Sequence, residues 1–379
     1  MDFGWSESDR RAHDAARALG ASLAGDIDVR DRTGTFDRTA WSTLATHGFL
    51  GAFAPKHLGG QGQDFLRAVH LHEGLARGLD DAGLLLAVHA HLFGCLPILL
   101  GGTEAQQQRW VTGLATGAQT FALAMTEAEA GSDAFAMASH AVRDHDHYVI
   151  CGEKLWITNG PIADRILVFA RTGDGPPLSS LSCFLVDGQQ PGVTRHPDVP
   201  RLGLRTAEVG PVSFDEVRVP LDHCIGSEGA GARLFLSAME HERIGIMTAA
   251  LGSMDRLLHR CLRHARTPRG PHPTLQSHQA VTHRIADLRA DLDASRLLLY
   301  RAAWRLAHGR RAPAEAAISK LQASEAHVRA ALTALRTFGG AGLIEGSGIE
   351  RAFRDATCGL VYSGTSDIQR NLIASMMGL

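Results

Sequence analysis

Residues 147–160, HYVICGEKLWITNG, interrupt a chain that is otherwise patterned for helices. Here β-branched and aromatic residues alternate with others before an Asn-Gly turn, which is typical of a β-strand. Three similar short stretches follow, each bounded by Gly, Pro or Asp: DRILVFART (164–172), SLSCFLVDG (180–188) and VGPVSFDEVRVP (209–220). Their regular spacing predicts a small antiparallel β domain over residues 122–227.

Helical patterns flank this β domain on both sides. Ser6 followed by Asp9 resembles a helix start, and apolar spacing around 66–75 and 104–114 predicts further helices, so residues 1–121 form a helical domain. Residues 228–379 are predicted to form a four-helix bundle, from Ala/Leu/Arg-rich amphipathic stretches at 229–266, 277–308, 313–338 and 365–376. The predicted fold class is therefore α+β and mostly α.

The composition excludes several classes of protein. The chain has 379 residues and a net charge of -2, which gives no sign of nucleic-acid binding. Six scattered cysteines without a Cys-x-x-Cys pair, and no apparent signal peptide, predict a cytoplasmic protein. Residues 83–102 imitate a membrane span, but His, Gly and Pro interrupt them, so we expect a buried helix and its turn. Lysine occurs only at 56, 154 and 320, which we interpret as a codon-usage habit.

Several short motifs are candidates for binding. The turn TEAEAGSD (126–133) offers hydroxyls and backbone N–H groups that suit a phosphate or a flavin edge, although an ordinary loop has the same composition. Alternation places Trp156 and Thr158 on one side of a strand, which suits a planar ring or a core tryptophan. The glycines of 338–356 lack G-x-G-x-x-G spacing and follow a helix, so we expect no nicotinamide site.

Histidine pairs two residues apart, such as those at 70/72 and 89/91, do not share a helix face. No set of Asp, Glu or Cys residues completes a site at metal spacing. We therefore predict no metal site.

The order of these motifs resembles that of the acyl-CoA dehydrogenase family, over nearly the whole chain. The resemblance rests on AMTEAEAGSD (124–133), KLWITNG (154–160), FDEVRVP (214–220), HQ (278–279), FGGAG (338–342), RDA (354–356) and YSGTSDIQR (362–370). It implies a helical domain, a β domain and a four-helix bundle in that order. It also implies a homotetramer, or less often a dimer, that binds FAD near a subunit interface. The implied electron acceptor is an electron-transfer flavoprotein or O₂.

The resemblance further implies which residues hold the cofactor and the substrate. Trp156 packs on the isoalloxazine ring, Thr158 approaches its N5 atom, and Thr365 reaches the phosphates. The other implied cofactor contacts are Met125, Thr126, Gly131, Ser132 and Gly340. The implied substrate contacts are Ser132, Arg243 and Gly364.

One cofactor segment departs from the family pattern. After residues 264–267 the family usually shows R-x-x-F-G, which anchors the flavin across subunits, whereas this chain has Pro268, Pro271 and His272 in those places. We expect Arg269 and Arg336 to contact FAD instead.

The residue after the motif tyrosine is usually a glutamate that removes the substrate α-proton, and here it is Ser363. A serine hydroxyl is too weak a base for this proton. Isovaleryl-type and long-chain-type members place their base on the first bundle helix, directly before an arginine, and Glu242-Arg243 matches that position. We predict that Glu242 is the base, although a salt-bridged helix glutamate has the same sequence. The backbone N–H of Ser363 keeps its implied role of polarising the thioester carbonyl.

Together these features predict FAD-dependent α,β-dehydrogenation of an acyl thioester, carried by CoA or by an acyl carrier protein. The α-proton passes to Glu242 and the β-hydride to flavin N5. The small Ser363 leaves space for a branched or cyclic acyl group. Two alternatives stay open: a flavin-dependent monooxygenase on the same fold, which needs no α-proton base, and a non-catalytic flavin-binding protein.

Overall fold

The computed structural model describes residues 4–268 and 270–379. The predicted flavin contact of Arg269 lies outside the described residues. The chain runs from helices through a sheet and back to helices, as the sequence predicts.

Most of the N-terminal helices begin where a polar side chain caps them. Ser6 Oγ accepts a hydrogen bond from the Asp9 N–H at 3.1 Å, and Thr103 and Gln106 form a reciprocal capping box. The helices are α1 (Glu7–Ser22), α2 (Ile27–Thr33), α3 (Arg38–Thr46), α4 (Phe65–Gly78), α5 (Ala82–Gly94), α6 (Leu96–Gly101) and α7 (Glu104–Ala115).

The apolar segment of the sequence is a core element. Ala82–Gly101 is long and apolar enough to cross a membrane, but 78% of its most apolar stretch is buried inside the protein. Helix α5 ends at Gly94 and α6 begins at Leu96, so the prediction of a buried helix and its turn is confirmed.

A seven-stranded sheet forms the middle of the molecule, in the order β1-β4-β2-β3-β7-β6 with β5 on β4. Its elements are β1 (Phe121–Ala124), β2 (His140–Asp144), β3 (His147–Thr158), β4 (Arg165–Arg171), the short helix α8 (Pro177–Ser180), β5 (Leu181–Asp187), β6 (Val193–Arg195) and β7 (Val209–Pro220). Four ladders are antiparallel as predicted, but β1 and β2 each pair with β4 in parallel. Because β1 continues from α7, no hairpin forces it to run antiparallel to its neighbour.

The C-terminal helices form one core with helix α4 of the N-terminal region, which packs on α10 and α11. They are α9 (Gly231–Gly245), α10 (Thr248–Arg266), α11 (Gln279–Ala307), α12 (Pro313–Phe338), α13 (Ile349–Cys358) and α14 (Ser366–Met376).

Two details of the bundle differ from the sequence prediction. The single helix predicted for 229–266 is divided into α9 and α10, because the Thr248 hydroxyl donates to the Gly245 carbonyl at 2.7 Å in competition with the helical backbone pattern. Helix α13 is not predicted, because glycines precede it closely. It forms because Ile349, Ala352 and Ala356 share one buried face.

A buried ion pair fixes the sheet to the turn that follows β1. Lys154 in β3 is fully buried, and its Nζ donates to Glu127 Oε1 at 2.8 Å and to the Met125 carbonyl at 3.1 Å. The Glu127 carboxylate also accepts hydrogen bonds from the backbone N–H groups of Ala138 and Ser139. Removing one partner would leave the other charge buried without compensation.

We expect Lys154→Met to lower the free energy of unfolding by about 3–5 kcal/mol, because the Glu127 carboxylate would lose its buried counter-charge. Urea unfolding followed by tryptophan fluorescence measures this change. The matched control is Lys56→Met, an exposed lysine that should change stability by less than about 0.5 kcal/mol. Equal stability of the two variants would contradict a structural role for the pair.

Candidate active site

The last turns of α9 carry the predicted base, and two contacts hold this helix in place. The buried carboxylate of Glu240 accepts a hydrogen bond from the Ala312 N–H at 3.1 Å and forms an ion pair with Arg311. Gly245 lies against α5 so closely that a Cβ there would be 1.9 Å from an atom of the Phe93 ring. Helix α9 is therefore fixed both to the start of α12 and to α5.

The structure brings Glu242 and Ser363 together across 121 positions of the sequence. The Ser363 hydroxyl donates to Glu242 Oε1 at 2.6 Å. The neighbouring Arg243 is buried, and its Nε donates to the Ser363 carbonyl at 3.4 Å. Glu242 and Arg243 of α9 thus form one cluster with the C-terminal motif, which follows them by about 120 positions in the sequence.

Burial and polar neighbours act on the Glu242 carboxyl in opposite directions. Burial raises the pKa of Glu242 above the ordinary value, while the hydrogen bond from Ser363 and the charge of Arg243 lower it in part. A carboxylate with a raised pKa is a stronger base than one in water. The environment therefore suits Glu242 to accepting a proton.

Gln369 fixes the turn that carries Ser363. This fully buried side chain donates from Nε2 to the carbonyls of Ser363 at 3.3 Å and Gly364 at 2.9 Å. Ser363 and Gly364 both have left-handed backbones, with φ of 54° and 87°. Among the described residues no atom accepts a hydrogen bond from the Ser363 N–H, so this donor is available to a bound carbonyl.

Trp156 and Thr158 lie on the partly exposed side of β3, whereas Ile157 between them is buried. The pairing of β3 with β7 is irregular between Lys154 and Ile157, and Trp156 has a φ of 59°. This bulge leaves the indole 58% exposed. A large aromatic side chain held outward on a bulge offers a flat face to a planar ligand.

The turn after β1 lies beside this strand, because the Leu155 N–H donates to the Thr126 carbonyl at 2.8 Å. Thr126 is partly buried, and Gly131 and Ser132 are exposed. The Met125 side chain is buried in the core, so a flavin contact by this residue would use its main chain.

The remaining predicted cofactor residues lie at helix ends. Thr365 is the N-cap of α14, where its Oγ1 accepts a hydrogen bond from the Ile368 N–H at 3.2 Å. The N-terminus of a helix attracts phosphate groups. Arg336 and Gly340 are exposed at the C-terminal end of α12. No hydrogen bond or ion pair within the described chain joins Arg336 or Gly340 to Trp156.

Three buried residues of the site were not singled out from the sequence: Lys154, Gln369 and Asn159. The Asn159 side chain donates to the carbonyls of Ala87 and Phe121, which joins α5, β1 and β3. Lysine is rare in this sequence, and two of its three lysines, Lys154 and Lys320, are fully buried. The few lysine positions are therefore a sequence signal for buried structural residues.

The arrangement fits a flavin dinucleotide. It offers an exposed indole and neighbouring hydroxyls for the ring, and a capped helix N-terminus for a phosphate. Open space around Gly131 and Gly340, where a Cβ would meet no atom within 4 Å, leaves room for a ligand. No group of three His, Cys, Asp or Glu residues in the described chain could hold a metal ion.

Comparisons with known proteins agree with this geometry. The acyl-CoA dehydrogenase N-terminal, middle and C-terminal domains match residues 6–118, 122–217 and 229–378. An L-prolyl-[peptidyl-carrier protein] dehydrogenase from Pseudomonas fluorescens is 34% identical, with 100% of both chains covered.

Solved structures are similar over the same length. The prolyl acyl carrier protein oxidase AnaB superposes with a TM-score of 0.97 at 32% identity, covering 99% of this chain and 100% of AnaB. PigA with FAD and proline also has a TM-score of 0.97, at 31% identity and 100% coverage of both chains. The chain belongs to the acyl-CoA dehydrogenase family and contains all three of its domains.

Proposed function

We propose that the protein is an FAD-dependent α,β-dehydrogenase of acyl thioesters in which Glu242 is the base. The observation that carries the proposal is the position of the Glu242 carboxylate, directly beside the Ser363 turn and its unpaired backbone donor. Membership of the family and the similarity to PigA with FAD support the choice of cofactor.

The residues of the site have separate roles in this reaction. The Ser363 N–H binds the thioester carbonyl oxygen and stabilises the negative charge that develops there. The Glu242 carboxylate takes the α-proton and becomes a neutral carboxylic acid. FAD, when bound, supplies the acceptor for the β-hydride, so that both electrons leave the substrate and a carbon–carbon double bond forms. Trp156 and Thr158 orient the flavin ring. The turn at 125–132 and Thr365 bind the other parts of FAD.

We propose further that the acyl group is carried by a carrier protein and that a prolyl group is the first candidate. The support is the full-length similarity to a prolyl-carrier dehydrogenase and to a prolyl-carrier oxidase. Serine at 363 leaves space beside the base that a glutamate would fill, and a five-membered ring needs such space. Acyl-CoA is the second candidate, supported by membership of the family.

The assembly and electron acceptor also belong to this proposal. We favour a homotetramer, because Leu343 and Ile344 are 69% and 65% exposed beside the predicted FAD contacts Arg336 and Gly340. A partner subunit would cover these side chains.

An electron-transfer flavoprotein or O₂ accepts the electrons. Six free thiols support a cytoplasmic location.

Glu242→Gln should strongly slow reduction of the flavin by substrate, because an amide cannot accept the α-proton. The measurement is flavin bleaching on anaerobic mixing with a panel of prolyl and acyl thioesters, on CoA and on carrier protein. We expect a rate loss on the order of 10²–10⁴ with the flavin content unchanged.

The control for this variant is Glu240→Gln, two residues earlier on the same helix, which should affect stability and leave bleaching in place. Bleaching of Glu242→Gln at close to the wild-type rate would refute the assignment of the base. Oxygen-dependent product without any thioester oxidation would favour the monooxygenase alternative.

Gly131→Ala should weaken FAD binding without changing the stability of the apoprotein. A Cβ at Gly131 meets no protein atom within 4 Å, so a loss of binding would arise from contact with the cofactor. The control is Gly173→Ala, a second turn glycine with the same open surroundings. Flavin fluorescence after denaturation gives the occupancy, and equal occupancy in both variants would remove Gly131 from the cofactor site.

Arg336→Ala should lower flavin occupancy of the purified protein, because the exposed guanidinium would lose its contact with FAD of a neighbouring subunit. Analytical ultracentrifugation on the same sample separates this effect from loss of assembly. Unchanged occupancy would exclude the role, and Arg336 would then serve only the C-terminal end of α12.

A further inference from the structure

The Ser363 side chain has a task that is separate from that of its backbone. We propose that Ser363 is a positioning residue, whose hydroxyl keeps the Glu242 carboxylate ionised and oriented for proton abstraction. The inference rests on the proposed function, in which Glu242 is the base, and it adds a residue that acts through that base. This chain thus carries, in place of the usual glutamate, a hydrogen-bond donor to a carboxylate on another helix.

The geometry is that of a charge-assisted hydrogen bond. The distance of 2.6 Å between Ser363 Oγ and Glu242 Oε1 is in the range of a hydroxyl donating to a carboxylate. Such a bond stabilises the ionised form of the acceptor. It also occupies one carboxylate oxygen, Oε1, which leaves Oε2 to take the substrate proton.

The backbone of Ser363 is arranged to aim this hydroxyl. Serine with a φ of 54° is in the left-handed region, which glycine would adopt at lower cost. Gln369 and Arg243 both donate to the Ser363 carbonyl and fix the turn in this conformation. Glycine would satisfy every one of these backbone contacts, so only the hydroxyl bond needs a serine side chain.

In the described part of the chain, charged or titratable groups of α9 and α12 must be separated from Glu242 in a pH profile. Arg243 follows on α9 itself, and Glu240 on the same helix is neutralised by Arg311. His241 is largely buried, which lowers its pKa. From α12, Lys320 donates to the Gly359 carbonyl at 2.9 Å, and burial together with Arg243 lowers its pKa to about 8. Titration of Lys320 therefore affects the alkaline limb of the pH profile of flavin reduction, and not the acidic limb that reports Glu242.

Removal of the hydroxyl should make Glu242 harder to ionise. Without the donor, burial continues to raise the pKa and only Arg243 opposes it. The acidic limb of the profile of flavin reduction should then move to higher pH by about one unit, the size expected for loss of a hydrogen bond to a charged group.

The test compares Ser363→Ala with Ser363→Gly, because these variants lose the same hydroxyl but differ in backbone strain. Alanine keeps the left-handed strain and glycine relieves it, so the glycine variant should melt at a higher temperature. Both should nevertheless show the same shift of the acidic limb. A second readout does not depend on turnover: the infrared band of protonated Glu242, assigned by its absence in Glu242→Gln, titrated in each holoenzyme.

Equal upward shifts of the infrared titration in both variants, by about one pH unit, support the proposal. The proposal is overturned if the infrared titration is unchanged in both variants. It is also overturned if the shift appears in only one variant and follows the change in melting temperature. Failure of the proposed function has a different signature. In that case wild-type flavin is not bleached by any thioester, whereas the infrared titration still reports whether the hydroxyl acts on Glu242.

Discussion

The part of the site that is predicted to face the flavin depends on the buried ion pair between Lys154 and Glu127. The lysine lies in the strand that carries Trp156 and Thr158, and the glutamate lies in the turn that carries Thr126. Together with the hydrogen bond from the Leu155 N–H to the Thr126 carbonyl, the ion pair sets the distance between the two predicted cofactor segments. A surface pair would not do this, because its side chains would stay mobile in water. Here burial makes separation costly, and the turn and the strand act as one rigid unit.

The part of the site around the proposed base, Glu242, is built from different elements, but it is also fixed by buried polar contacts. Helix α9 is fixed by Glu240 and Arg311, and the Ser363 turn is fixed by Gln369. The hydrogen bond from Ser363 to Glu242 joins these two fixed elements. A carboxylate that burial makes more basic is thereby kept in one orientation, which a general base needs if it is to act on a single proton of the substrate.

The order of helices and strands was predictable from sequence, since alternation over 209–220 and amphipathic spacing over 313–338 are strong local signals. The parallel pairing of β1 with β4 was not, because residues far apart in the chain decide it. For the site, the resemblance to the acyl-CoA dehydrogenase family implied Glu242, Trp156 and Thr365, which their local patterns alone did not. The Ser363 hydrogen bond to Glu242 spans 121 positions and depends on a left-handed turn, so no local pattern contains it.

The central claim is that Glu242, and not a residue of the Ser363 motif, removes the α-proton. Exchange of that proton with solvent tests this step apart from hydride transfer. The enzyme is placed in D₂O with its flavin reduced beforehand, so that dehydrogenation is blocked, and mass spectrometry of the bound thioester reports deuterium at the α-carbon. We predict exchange with the wild-type enzyme and none above the solvent background with Glu242→Gln. Exchange at the wild-type rate in Glu242→Gln would contradict the account.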